Sequence, residues 1–108
     1  PALLGVDYAS FKGQRLETRL PNQVLLDHWR AGGLVSVSVH GFNPANPDAY
    51  GLRDKGVDLD DLLRPGTAIH AAWVSQKEQI AAGLAELQAA GAVVLFRPLH
   101  EMNGGWFW

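Results

Sequence analysis

Three apolar runs of strand length recur along the chain, separated by stretches with helical spacing, and this alternation limits what it can fold into. The runs are ALLGVDY (Ala2 to Tyr8), LVSVSVH (Leu34 to His40) and AVVLFRPL (Ala92 to Leu99). Each is short and bounded by turn residues, as buried strands are. Between the first two, NQVLLDHWR predicts a helix over Asn22 to Arg30. Asn22 serves as its N-cap, Val24, Leu25 and Trp29 lie on one side, and Gly32 and Gly33 stop it. After the second run, the breaker-rich loop GFNPANPDAYG (41–51) leads to a short helical turn at DLDDLL, Asp58 to Leu63, closed by Arg64 to Gly66. From Thr67 to Ala90, the residues Trp73, Ile80, Leu84 and Leu87 recur at helical spacings. Lys77, Glu78, Glu86 and Gln88 supply the wet side, and Gly91 is the stop. The aspartates of the DLDDLL turn read as a solvated helix start rather than a metal site.

Strand, helix, strand, helix, strand is the order of an α/β fold with parallel strands joined by right-handed crossovers. Chemistry in such folds collects at the C-terminal strand ends. Those ends carry Asp7 and Tyr8, then His40 and Asn43, then Arg97, His100 and Glu101. Three loaded ends on adjacent strands predict one side of a larger active-site face.

Other classes of function fit poorly. The net charge is −2, from nine basic and eleven acidic residues, so no basic stripe exists to hold nucleic acid or an anionic membrane. The absence of cysteine removes thiolate nucleophiles, disulfides and cysteine metal sites. No apolar run has membrane-spanning length. The opening PALLGVDYAS has no initiating Met and no signal-peptide pattern, which predicts a natural N-terminus upstream.

Glu101 is the sharpest chemical candidate. A carboxyl group at a strand end, flanked by His100, Met102 and aromatics, suits a general acid whose pKa is raised by its surroundings; a loop glutamate in solvent is the plain reading. His100 fits a base, a metal ligand or an orienting donor. The zinc-protease arrangement HExxH is ruled out, because position 104 is Gly. His40 ends its strand as His100 does, so the two are expected to face one site or to be structural. His28 and His70 lie away from strand ends and read as structural, and Asn43 reads as a turn residue before Pro44. Trp106, Phe107 and Trp108 follow two glycines, and three consecutive aromatics cannot all enter one core. At least one should face a cleft, where an indole suits the C–H face of a sugar. Trp29 and Trp73 sit on helical apolar faces and read as core.

The run RPLHEMNGGWFW, Arg97 to Trp108, resembles the acid/base region of glycoside hydrolase family 26, whose best-known members are endo-β-1,4-mannanases. GVDY (Gly5 to Tyr8), VHGFNPANP (Val39 to Pro47) and LLRPGTAIHAAW ahead of GAVVLFRPLHE extend the resemblance over essentially the whole chain. It implies a (β/α)8 TIM barrel of which this chain holds the second to fourth strands, and a retaining reaction on a mannan-type polysaccharide. Glu101 would be the acid/base, His100 the histidine that orients the carboxylates, His40 a sugar-binding histidine, and Trp106 part of the cleft lining. Arg97 would lie beneath the site as a structural or charge-tuning residue. No metal or organic cofactor is implied, and secretion is inherited from the resemblance; oligomeric state is left open.

Two positions depart from the family pattern. Val39 stands where many relatives have a tryptophan, and the nucleophilic glutamate is expected from a seventh strand beyond Trp108. Asp7 is a poor substitute: a retaining pair is roughly 5–5.5 Å apart, and two strand steps of about 4.8 Å put the backbones near 10 Å. Asp7 is therefore expected to be a hydrogen-bonding scaffold residue. The chain on its own is expected to be inactive. A glycan-binding pseudoenzyme of the same fold, a relative acting on β-1,3-1,4-glucan or β-1,3-xylan, and an unrelated small α/β domain are the rival readings.

Overall fold

The computed structural model describes residues 2–10, 15–46, 52–53 and 55–108. Among these residues, five short strands and three helices follow in the order β1 (Leu3–Asp7), β2 (Ala9–Ser10), β3 (Arg15–Leu16), α1 (Arg19–Arg30), β4 (Leu34–Val39), α2 (Leu59–Leu63), α3 (Ala68–Ala89) and β5 (Val94–Pro98). Strands β1, β4 and β5 form one parallel sheet with β4 in the centre. The predicted αβ alternation is present, and the small antiparallel β2–β3 pair is an addition to it. The stretch 47–51 of the predicted loop lies outside the described residues. No helix among the described residues is long and apolar enough to cross a membrane.

The sequence LVSVSV shows why the sheet has two unlike faces. Successive side chains of a strand point to opposite sides, so Val35, Val37 and Val39 all point to the same side, and all are buried. With Leu4, Val6 and Val94 they meet Leu25, Leu26 and Leu87 from the helices, and this is the core. The opposite face carries Gly5, Ser36 and Ser38, with the half-exposed Leu3 and Leu34 at its base and Leu95 beside Ser36.

Both long helices end as their glycines predict. Gly32 (φ 88°) and Gly91 (φ 80°) take the left-handed conformation that a side chain disfavours. The amides of Gly32 and Gly33 donate back to Trp29 and His28, and those of Gly91 and Ala92 to Gln88 and Leu87. This double closure satisfies the last carbonyls of each helix. Thr67 caps α3 by accepting from the His70 amide, and Asp58 caps α2 by accepting from those of Asp60 and Asp61. The acidic cluster is thus a helix start, as expected.

The start of α1 corrects the reading of Asn22. The helix begins three residues earlier, at Arg19, and runs through Pro21, which the first turn tolerates because its missing N–H would have no helical partner there. Glu17 caps this end, its carboxylate accepting from the amides of Arg19 and Leu20. Asn22 is instead fully buried and ties three elements together. It accepts from the Tyr8 hydroxyl at 2.5 Å and donates to the Gly83 carbonyl and the Glu86 carboxylate, both at 2.8 Å. Gly83 is required for this approach, since a Cβ there would stand 2.8 Å from Thr18 Cγ2 and 3.1 Å from Tyr8.

Burial pushes the Tyr8 phenol up from 10.0 to about 12, and the Glu86 carboxylate adds to this. The fold therefore favours the protonated phenol. Its contribution is complete below pH 10 and is lost as pH rises from 10 through about 12. Tyr8→Phe should remove that part of the alkaline decline, so the stability gap between the two proteins should narrow over this window in denaturant titrations. A gap independent of pH would contradict the assignment.

Candidate active site

The register of the sheet brings the chemical residues together. Asp7 pairs with Ser38 and Ser38 with Arg97, so these three share one rung on the polar face, and Val39 pairs with Pro98 on the next. His40 follows Val39 directly. The amide of His100 donates to the Val39 carbonyl at 2.9 Å and carries the hydrogen-bond ladder one step past β5.

Beyond that step the backbone turns sharply. Leu99 (φ 50°) and Glu101 (φ 60°) both lie in the left-handed region, on either side of His100. Non-glycine residues held there cost on the order of 1–3 kcal/mol each and concentrate at functional sites. The turn is fixed by the Met102 amide on the Leu99 carbonyl and the Gly104 amide on the Glu101 carbonyl. It swings the Glu101 carboxylate to 3.3 Å from His100 Nε2.

Around this corner the imidazoles of His40 and His100 meet edge to face, with centroids 4.7 Å apart. The Trp106 indole lies 6.1 Å from the His40 ring. Gly104 makes room for it, because a Cβ there would be 2.5 Å from Trp106 Nε1. His40 Nδ1 is 2.6 Å from Asp7 Oδ2. Asp7 also accepts from the Ala9 amide and from Ser38 Oγ, which makes it the scaffold acid that the sequence suggested. Arg97 donates to His100 Nδ1 at 2.8 Å.

The structure therefore brings His40, His100, Glu101 and Trp106 into one cluster, with Asp7 and Arg97 behind them. Nitrogen and oxygen atoms of His40, His100 and Glu101 lie within 4.8 Å of one another, close enough to surround a cation. The permanent positive charge of Arg97 against His100 disfavours a dication there. Two expectations are corrected. The apolar enclosure foreseen for Glu101 is not formed among the described residues: its side chain is 56% exposed, and Met102 is exposed as well. Trp73 is not core either. It is half-buried at the rim of an apolar groove shared with Gly41, Ile80 and Leu99, edge-on to Trp108 and beneath the Lys77 ammonium.

The remaining histidines are structural, as read. His28 Nε2 bonds the Ala2 carbonyl and His70 Nδ1 the Leu62 carbonyl. Asn43 forms its turn by accepting from the Ala45 amide. Of the terminal aromatics, Phe107 is buried and Trp108 donates to the Gly41 carbonyl at 2.6 Å, which leaves Trp106 beside the histidines. The left-handed turn around His100 was not foreseen, and the sequence held no glycine to signal it.

The family model for Glycosyl hydrolase family 26 matches residues 1–108. A mannan endo-1,4-β-mannosidase of Bacillus subtilis is 39% identical over all of this chain and 32% of its own length. Mannan endo-1,4-β-mannosidase A and B of Caldalkalibacillus mannanilyticus is 38% identical, with 22% of its length covered. Among solved structures, GH26A from Muricauda sp. superposes over the whole chain with a TM-score of 0.87 at 31% identity, covering 37% of that protein. Bacillus subtilis mannanase man26 does so with a TM-score of 0.81 at 35% identity, covering 34%. The chain thus spans about a third or less of the length of these relatives. A match along its full length in both sequence and structure, with the clustered acid and histidines inside it, decides the family: the chain belongs to Glycosyl hydrolase family 26.

Proposed function

We propose that the protein carrying this chain is an endo-acting retaining glycoside hydrolase that cleaves β-1,4-mannosidic bonds in mannan, glucomannan or galactomannan. The observation that carries this reading is the placement of Glu101 against His100 at the end of β5, in a chain 39% identical to a mannan endo-1,4-β-mannosidase. In this reading β1, β4 and β5 are the second to fourth strands of a (β/α)8 barrel. The nucleophilic glutamate then comes from a seventh strand beyond Trp108, in keeping with the fraction of its relatives that the chain covers.

Glu101 gives its proton to the glycosidic oxygen as the C–O bond breaks, while the second carboxylate attacks the anomeric carbon and forms a glycosyl ester. The ionised Glu101 next removes a proton from water, whose oxygen displaces the ester carboxylate and releases the sugar. The His100 Nε2–H, 3.3 Å away, steadies the Glu101 carboxylate between the two steps. His40 and Trp106 line the adjoining sugar subsite. A polymer of this size does not cross a cell membrane, so an extracellular setting fits the substrate.

The test is to incubate the full-length protein with β-1,4-mannan, β-1,3-1,4-glucan and β-1,3-xylan and to follow anomeric signals by proton NMR. New β-anomeric reducing ends should come first, and from mannan. Binding without hydrolysis would indicate a pseudoenzyme, initial α-anomers would exclude retention, and preferred cleavage of another polymer would reassign the substrate.

A further inference from the structure

Each of the two clustered histidines has a partner that permits only one tautomer of the neutral ring. An ionised carboxylate only accepts hydrogen bonds, and a guanidinium only donates them. Asp7 Oδ2, 2.6 Å from His40 Nδ1, therefore requires the proton on Nδ1 and leaves the lone pair on Nε2. Arg97, 2.8 Å from His100 Nδ1, requires the reverse: the lone pair on Nδ1 and the proton on Nε2, toward Glu101.

The partners are themselves held. Asp7 Oδ1 accepts from the amides of Ala9 at 2.7 Å and His40 at 3.4 Å, and Ser38 Oγ stands 3.0 Å from Oδ2. Asp7, Ser38 and Arg97 occupy one rung of three adjacent strands, so the sheet register itself sets both contacts. The rings they control are 4.7 Å apart.

We infer that Asp7 and Arg97 are positioning residues that lock His40 and His100 in opposite tautomers. In the neutral rings the His40 proton then faces Asp7 and the His100 proton faces Glu101. The functional consequence rests on the proposed glycosidase reading; the tautomers do not.

Long-range proton–nitrogen NMR of the 15N-labelled full-length protein at neutral pH reads the tautomers directly. His40 should show a protonated Nδ1 and His100 a protonated Nε2. In Asp7→Asn the amide oxygen keeps the Ala9 contact and the amide nitrogen now donates toward His40, so His40 should switch to the Nε2–H form while His100 is unchanged. Hydrolysis of mannan should fall on the order of 10- to 100-fold in kcat/KM, as expected when the hydrogen-bonding sense of a partly buried ring is reversed. Arg97→Met should leave His40 alone and release His100 to a tautomer mixture. An Nε2–H form of His40 in the unmodified protein, or no switch in a folded Asp7→Asn protein, would overturn the inference; so would a switch with unchanged hydrolysis. If the tautomers are as assigned but the unmodified protein is inert on mannan, the glycosidase reading falls and the lock stands.

Discussion

Glu101→Gln is expected to lower kcat/KM on unactivated mannan by about 10²- to 10⁴-fold, the usual contribution of a positioned general acid–base. The variant should fold normally. Its amide matches in shape the carboxylate that stands 3.3 Å from His100 Nε2, and the side chain is 56% exposed, so little packing depends on it. The left-handed backbone at Glu101 is common to both side chains. What the substitution removes is the transferable proton, so the loss should appear in turnover and hardly in thermal stability.

The largest loss of stability should follow from Asn22→Leu. The two side chains are close in size, so no large cavity opens, but three polar groups lose their partner: the Tyr8 hydroxyl, the Gly83 carbonyl and the Glu86 carboxylate. Glu86 reaches solvent, whereas Tyr8 is fully buried. The Gly83 carbonyl, inside α3, still accepts within the helix, so the stranded group is the Tyr8 hydroxyl; a buried polar group left unsatisfied costs about 1–3 kcal/mol, and a destabilisation of about that size is predicted in urea titrations. Adding Tyr8→Phe should then cost less than it does in the unmodified protein, because the hydroxyl it deletes is already stranded. Equal costs in the two backgrounds would mean that Tyr8 and Asn22 are not coupled.

What could be read from the sequence followed the strength of the local signal. Alternation in LVSVSV gave a strand with one buried face, and Gly91 after a long periodic run gave a helix with a left-handed end; both are local consequences of side-chain direction and backbone freedom. Asn22 was misread because its role is not local. Its partners Gly83 and Glu86 lie 61 and 64 positions away, and Pro21 before it imitates a helix boundary. Trp73 was assigned to the core from helical spacing alone, which identifies an apolar side but not whether another element covers it. At the site, residue types and strand ends sufficed to single out His40, His100 and Glu101, whereas Trp106 was chosen among the three terminal aromatics through the family resemblance. Their mutual distances, and the pairing of Asp7 and Arg97 with separate histidines, arise from strand register, which no single segment encodes.

The central claim is that Glu101 supplies a proton to the departing sugar. It is tested most directly by comparing Glu101→Gln with the unmodified full-length protein on two substrates: mannan, and an aryl β-mannoside whose dinitrophenolate leaves without protonation. The account predicts a loss of about 10²- to 10⁴-fold on mannan, with the initial burst of phenolate from the aryl substrate nearly preserved and the following release of sugar slowed. Equal losses of both activities, or none on mannan, would contradict it.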